Sequence, residues 1–133
     1  MSEECSDFID NRQELHRRSG EILVAKVTKH FLDRFLMRKV RNYKKLDLMT
    51  IRSTVINILR DGRYYATTTS IIIFHPTYTV IACFDKEFLV LKTIMKTKEL
   101  NEKLKKLINR SRKVMWKDIA IIMTHIITNT KPD

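Results

Sequence analysis

Ala66-Thr-Thr-Thr-Ser-Ile-Ile-Ile-Phe74, Tyr78-Thr-Val-Ile-Ala-Cys-Phe84 and Glu87-Phe-Leu-Val-Leu-Lys-Thr-Ile-Met95 are three apolar, β-branched runs in close succession, and their reading decides the fold. Residues that are stiff at χ1 fit the pleated surface of a sheet better than a helix. His75-Pro76-Thr77 and Asp85-Lys86 between the runs are short enough for hairpin turns, so the three form an antiparallel meander. Strict alternation in the last run turns Phe88, Val90, Lys92 and Ile94 one way and Leu89, Leu91, Thr93 and Met95 the other.

Upstream, Arg60-Asp61-Gly62 is a turn, and Asp47 caps a helix running to about Leu59, with Met49, Ile51, Val55, Ile58 and Leu59 on its apolar face. Asn42 to Lys45 is a polar break. Before it, Thr28 to Arg41 reads as a helix fed by a strand at Ile22 to Val27 and, beyond Gly20, by a polar helix from Asp7 to Ser19. A single helix through Gly20 and the β-rich run is the alternative. Downstream, Thr97 caps a helix carrying Leu100, Leu104, Leu107 and Ile108, and a second helix spans Arg112 to Thr128 with Trp116 as core. The expected fold is α+β, one domain over 1–133. A three-stranded meander plus the N-terminal strand is covered by helices on one face, with residues 22–95 as core and C-terminal helices over 97–128.

A formal charge of +11, from 26 Lys and Arg against 15 Asp and Glu, points to a polyanionic partner, with RNA or a ribosome leading. An acidic protein, such as an inhibitor, is the other class of partner. Cys5 and Cys83 are too few and too far apart to suggest a disulfide framework, which implies a reducing compartment. No apolar run approaches the ~20 residues that span a bilayer, so a cytoplasmic protein without a membrane partner is expected. Four scattered histidines make no metal-ligand spacing, and two glycines cannot build a phosphate loop or dinucleotide fingerprint. The chemistry expected is therefore free of metal and cofactor.

The helix after Thr28 concentrates what remains. Its 100° step puts His30, Arg34, Met37, Arg38 and Arg41 on one arc and Phe31, Leu32, Phe35, Leu36 and Val40 on the opposite one. A first-turn histidine meets the positive end of the helix dipole, which favours the neutral imidazole that accepts a proton. RNA supplies its own nucleophile in the 2′-hydroxyl; cleavage then needs a base, positive charge beside the phosphorane and a proton donor. His30 is the base, Arg34 and Arg38 the charge, and a second group from the sheet the acid. Arg41 extends the basic arc, Arg63, Tyr64 and Tyr65 are candidates for holding an unpaired base, and Lys92 and Lys96 for phosphate contacts.

His30-Phe-Leu-Asp-Arg34-Phe-Leu-Met-Arg38 resembles the His-x-Leu-Asp-Arg-x-x-x-Arg core of the phage RegB endoribonucleases. More loosely, Ile22 to Met95 is similar in layout to RelE-superfamily toxins of the BrnT kind. The resemblance implies a RelE-like fold, phage or plasmid origin, mRNA cleavage in the host cytoplasm, and catalysis by His30 with Arg34 beside it. The sequence departs from RegB in one respect: no histidine lies between His30 and His75. Either His75 or a Lys, Tyr or Thr takes the second role, or the chain binds RNA or the ribosome without cleaving, as a regulator of translation.

Overall fold

The computed structural model describes Cys5 and residues 8–37 and 48–123. The run read as one strand from Ala66 to Phe74 is two. Arg63–Ala66 (β2) and Ile71–Phe74 (β3) pair antiparallel around a turn over 67–70. The reversal is local chemistry: Thr67 Oγ1 accepts from the backbone N–H groups of Thr69 and Ser70, and the Thr67 N–H donates to the Ser70 carbonyl. Threonine is β-branched like a strand residue, but its hydroxyl competes for backbone groups and closes turns.

Tyr78–Asp85 (β4) and Phe88–Lys96 (β5) complete the meander as expected. Their register slips between Ile81 and Ala82, which pair with Thr93 and Leu91 and leave Lys92 with no residue opposite. That extra residue breaks the strict alternation. Leu91 and Ile94, which simple period-2 counting places on opposite faces, both enter the main core.

The chain's remaining strands depart further from expectation. Ile22–Val27 (β1) forms as read, but it lies between β5 and Asp118–Ile122 (β7) and runs parallel to both. Arg112–Lys113 (β6) pairs with β2 at the other end of the sheet. The helix expected over 112–128 is therefore replaced by two strands as far as the described residues go; its end from 124 on, with His125, lies outside them. Ile119, Ile121 and Ile122 supply the reason, since β-branched side chains in a short run suit a strand that neighbours flank. The sheet has seven strands in the order β6-β2-β3-β4-β5-β1-β7, mixed in direction, where four were expected.

Helices cover both faces rather than one. Asn11–Arg18 (α1), Lys29–Met37 (α2) and Leu48–Asp61 (α3) place Leu15, Phe31, Leu32, Phe35, Ile51, Val55, Ile58 and Leu59 in the main core. Strand β3 is apolar on both sides: Ile71 and Ile73 enter that core, while Ile72 and Phe74 form a second cluster with Leu100. Two-sided hydrophobicity demands a second cover. Glu102–Ile108 (α4) provides it through Leu104, Leu107 and Ile108. Its cap is Asn101, whose Oδ1 accepts from the Leu104 N–H, and not Thr97. Thr97 begins a separate 3₁₀ turn and donates its hydroxyl to the His75 carbonyl.

Two buried tethers fix α1. Asn11 Oδ1 accepts from the Phe84 N–H at 2.7 Å and its amide donates to the Thr68 carbonyl. With α1 docked beside β4, Cys5 reaches Cys83 and the two form a disulfide, Cα atoms 5.7 Å apart, correcting the expectation that they stay separate. Among the described residues no helix is long and apolar enough to cross a membrane.

Candidate nucleic-acid interface

The cap expected for α2 is present: Thr28 Oγ1 accepts from the Phe31 N–H at 3.0 Å while its own hydrogen goes to the Leu91 carbonyl. Capping sets the helix start and leaves His30 in the first turn, exposed to solvent. Arg34 Nε points at His30 Nε2 from 3.4 Å, so in this contact that ring nitrogen is the acceptor and the neutral ring carries its proton on Nδ1. Base and guanidinium thus share one face, as the spacing requires. Arg38 and Arg41 lie outside the described residues.

His75 stands elsewhere. It follows β3, and β4 and β5 separate β3 from β1, which delivers His30; at ~4.8 Å per strand that is about 14 Å. The strands that lead to the two histidines are therefore not neighbours. Instead His75 opens on a cavity of about 410 Å³ between the last turns of α3 and the β3–β4 turn, with Thr54, Asn57, Arg60, Asp61 and Tyr78 around it. Its Nδ1 accepts from the Thr77 N–H at 3.3 Å.

Of the residues expected to touch RNA, Tyr64 is ruled out by burial: it is 1% exposed. Its hydroxyl donates to the Leu59 carbonyl at 2.6 Å and accepts from Trp116 Nε1 at 3.1 Å, and the two rings meet edge to face. Burial raises the phenol's pKa well above the usual range. Period 2 explains the error, since Tyr64 faces the core and its neighbours do not. Tyr65 is half-buried against the cluster beneath α4. Arg63 is exposed, with its guanidinium held by Ser111 Oγ at 3.2 Å and the Ser111 carbonyl at 2.5 Å. Lys92 is exposed at the bulge, and Lys96 is half-buried opposite Tyr78.

A denser set of cations lies where the sequence reading saw only the polar side of a helix. Lys98, Lys103, Lys105, Lys106, Arg110, Arg112, Lys113 and Lys117 are all exposed, with Glu99 and Glu102 the only carboxylates between Lys98 and Lys117. Among the described residues none of the eight forms an ion pair; the pairs join Arg12 to Asp10, Arg17 and Arg18 to Glu14, and Arg60 to Asp61. Arg63 joins this strip directly across from Lys113 in the β2–β6 pair, and Lys113 Nζ donates to the Asp61 carbonyl at the end of α3. The signal was present in the sequence as local charge density. The helices that carry the two sets, α2 and α4, pack on different core clusters.

Among the described residues no three His, Cys, Asp or Glu side chains stand close enough to hold a metal ion. No protein-family model, curated protein or solved structure significantly matches this chain.

Proposed function

We propose that this protein binds RNA without needing a metal, and that the strip from Lys98 to Lys117 holds the phosphate backbone. The observation that carries this reading is the run of eight exposed cations on consecutive elements with no carboxylate partner among the described residues. Cations that are not neutralised within the protein release counterions from a nucleic acid when they meet it, which gives affinity a steep dependence on salt. A translation regulator or ribosome-associated protein fits this behaviour.

The test is polarisation of a labelled single-stranded RNA across a salt series. Replacing Lys103, Lys105 and Lys106 by Ala is expected to weaken binding and to reduce the slope of log affinity against log salt by about 2, three contacts at ~0.7 each. RNA affinity that is absent, or a slope the triple variant leaves unchanged, overturns the reading.

The exposed His30–Arg34 pair favours a second reading, endoribonucleolytic cleavage. His30 would take the 2′-hydroxyl proton once the Arg34 contact swings aside, the guanidinium would stabilise the phosphorane, and the P–O5′ bond would break with the leaving oxygen taking a proton from the imidazolium or from water. Incubation with RNA in EDTA tests it. New 2′,3′-cyclic phosphate ends that disappear in His30→Ala support cleavage; RNA that stays intact refutes it.

A further inference from the structure

Thr54 stands in the wall of the cavity that receives His75, with its hydroxyl sealed behind the surface. Thr54 is 5% exposed and its Oγ1 has no hydrogen-bond partner among the described residues. A buried hydroxyl left in that state costs stability, and in native proteins it calls for an explanation. The volume, about 410 Å³, lies in the range of ligand sites, roughly 300–1,000 Å³.

The wall mixes donors and acceptors around flat surfaces. Asn57 Oδ1 is occupied by Arg60 at 2.7 Å, which leaves the Asn57 amide hydrogens to donate. His75 accepts on Nδ1 from Thr77, so in its neutral form the proton sits on Nε2. Asp61 is the acceptor, and the rings of Tyr78 and His75 are the planar elements. The end of α3 needs no ligand to complete it: the carbonyls of Ile58, Leu59 and Asp61 are taken by the Gly62 N–H, the Tyr64 hydroxyl and Lys113 Nζ. A free phosphate suits this place poorly, because the Arg60 guanidinium in the wall is already held by Asp61 and Asn57 and the negative end of the helix dipole opposes an anion. A nucleobase suits it well: flat, apolar on its faces, with N–H groups and lone pairs along its edge.

We propose that this groove takes one unpaired nucleobase. The strand carrying that base is identified only through the RNA-binding reading, since Lys113 of the strip touches Asp61 of the groove; the groove's affinity for a base does not depend on it.

The full chain is titrated with the four nucleoside 5′-monophosphates while the His75 ring protons are followed by NMR, and with a single-stranded RNA. At least one nucleotide is expected to shift the His75 signals. Thr54→Val removes the sealed hydroxyl and keeps the branched shape, so it is expected to melt no lower than the parent; Asn57→Ala removes the amide donors that face the groove and is expected to lower nucleotide affinity about five- to tenfold. His75→Ala is expected to weaken the same nucleotide. Nucleotide binding that survives substitution of Lys103, Lys105 and Lys106 supports a groove separate from the strip. Silence of His75 with all four nucleotides, or Asn57→Ala binding as tightly as the parent, overturns the groove and leaves the salt-slope test of the strip untouched.

Discussion

The hydroxyl of Tyr64 serves two buried groups at once, the Leu59 carbonyl and the Trp116 indole N–H. Tyr64→Phe is expected to cost about 1–3 kcal/mol, because both partners are left without a bond in an apolar setting. Urea unfolding measures the loss, and RNA affinity is expected not to move. Glu14 shows a charge effect at the same scale. Hydrogen bonds from Arg17 and then Arg18 hold its carboxyl below the ordinary 4.5. A depressed folded pKa stabilises above the unfolded value and is lost as pH falls through the folded one. Glu14→Gln should therefore lower the urea midpoint at pH 7, and the difference from the parent should close once the pH drops below the folded pKa. Some of this scale was readable in advance: the Thr28 cap follows from a hydroxyl before an amphipathic run. That Tyr64 points inward was not, because it depends on where β2 begins.

Gly62 joins α3 to β2 in a space that admits no side chain. A Cβ there would stand 2.6 Å from the Ile58 carbonyl oxygen and 2.7 Å from Ile73 Cγ2. Gly62→Ala is expected to destabilise by about 1–3 kcal/mol through overpacking, read as a lower melting temperature. Asp-Gly marked this turn in the sequence, and the strand β1, the helices on either side and the β4–β5 hairpin were legible from periodicity. The errors fell on short elements. Thr67 reverses the chain with a hydroxyl that composition counts as strand, and β7 has an apolar run whose five residues cannot separate strand from helix by period alone. The Lys92 bulge left no mark in the alternation it breaks.

Charge was the property of the entire molecule that the sequence disclosed best, and its position was the property it disclosed least. A total of +11 says that a polyanion is attracted; only the fold packs α2, with His30, and α4, within the Lys98–Lys117 strip, on different core clusters. It also sets the strand that leads to His75 three places from the strand that leads to His30. The disulfide is likewise a product of tertiary placement, joining cysteines 78 positions apart in the sequence. Reducing it is expected to lower stability by about 2–4 kcal/mol. Urea midpoints with and without dithiothreitol, compared with a Cys5→Ser, Cys83→Ser double variant that should not respond to the reductant, measure this.

Strand β1 sits between two parallel neighbours, of which β7 ends at Ile122. A ribosome must therefore release almost all of the described polypeptide before β1 acquires its outer ladder. Until then an early, apolar segment waits with an open edge, and distant pairings of this sort make folding slow. Nascent chains stalled before Asp118 should lean on chaperones to avoid clumping, whereas chains stalled with β7 clear of the exit tunnel should not.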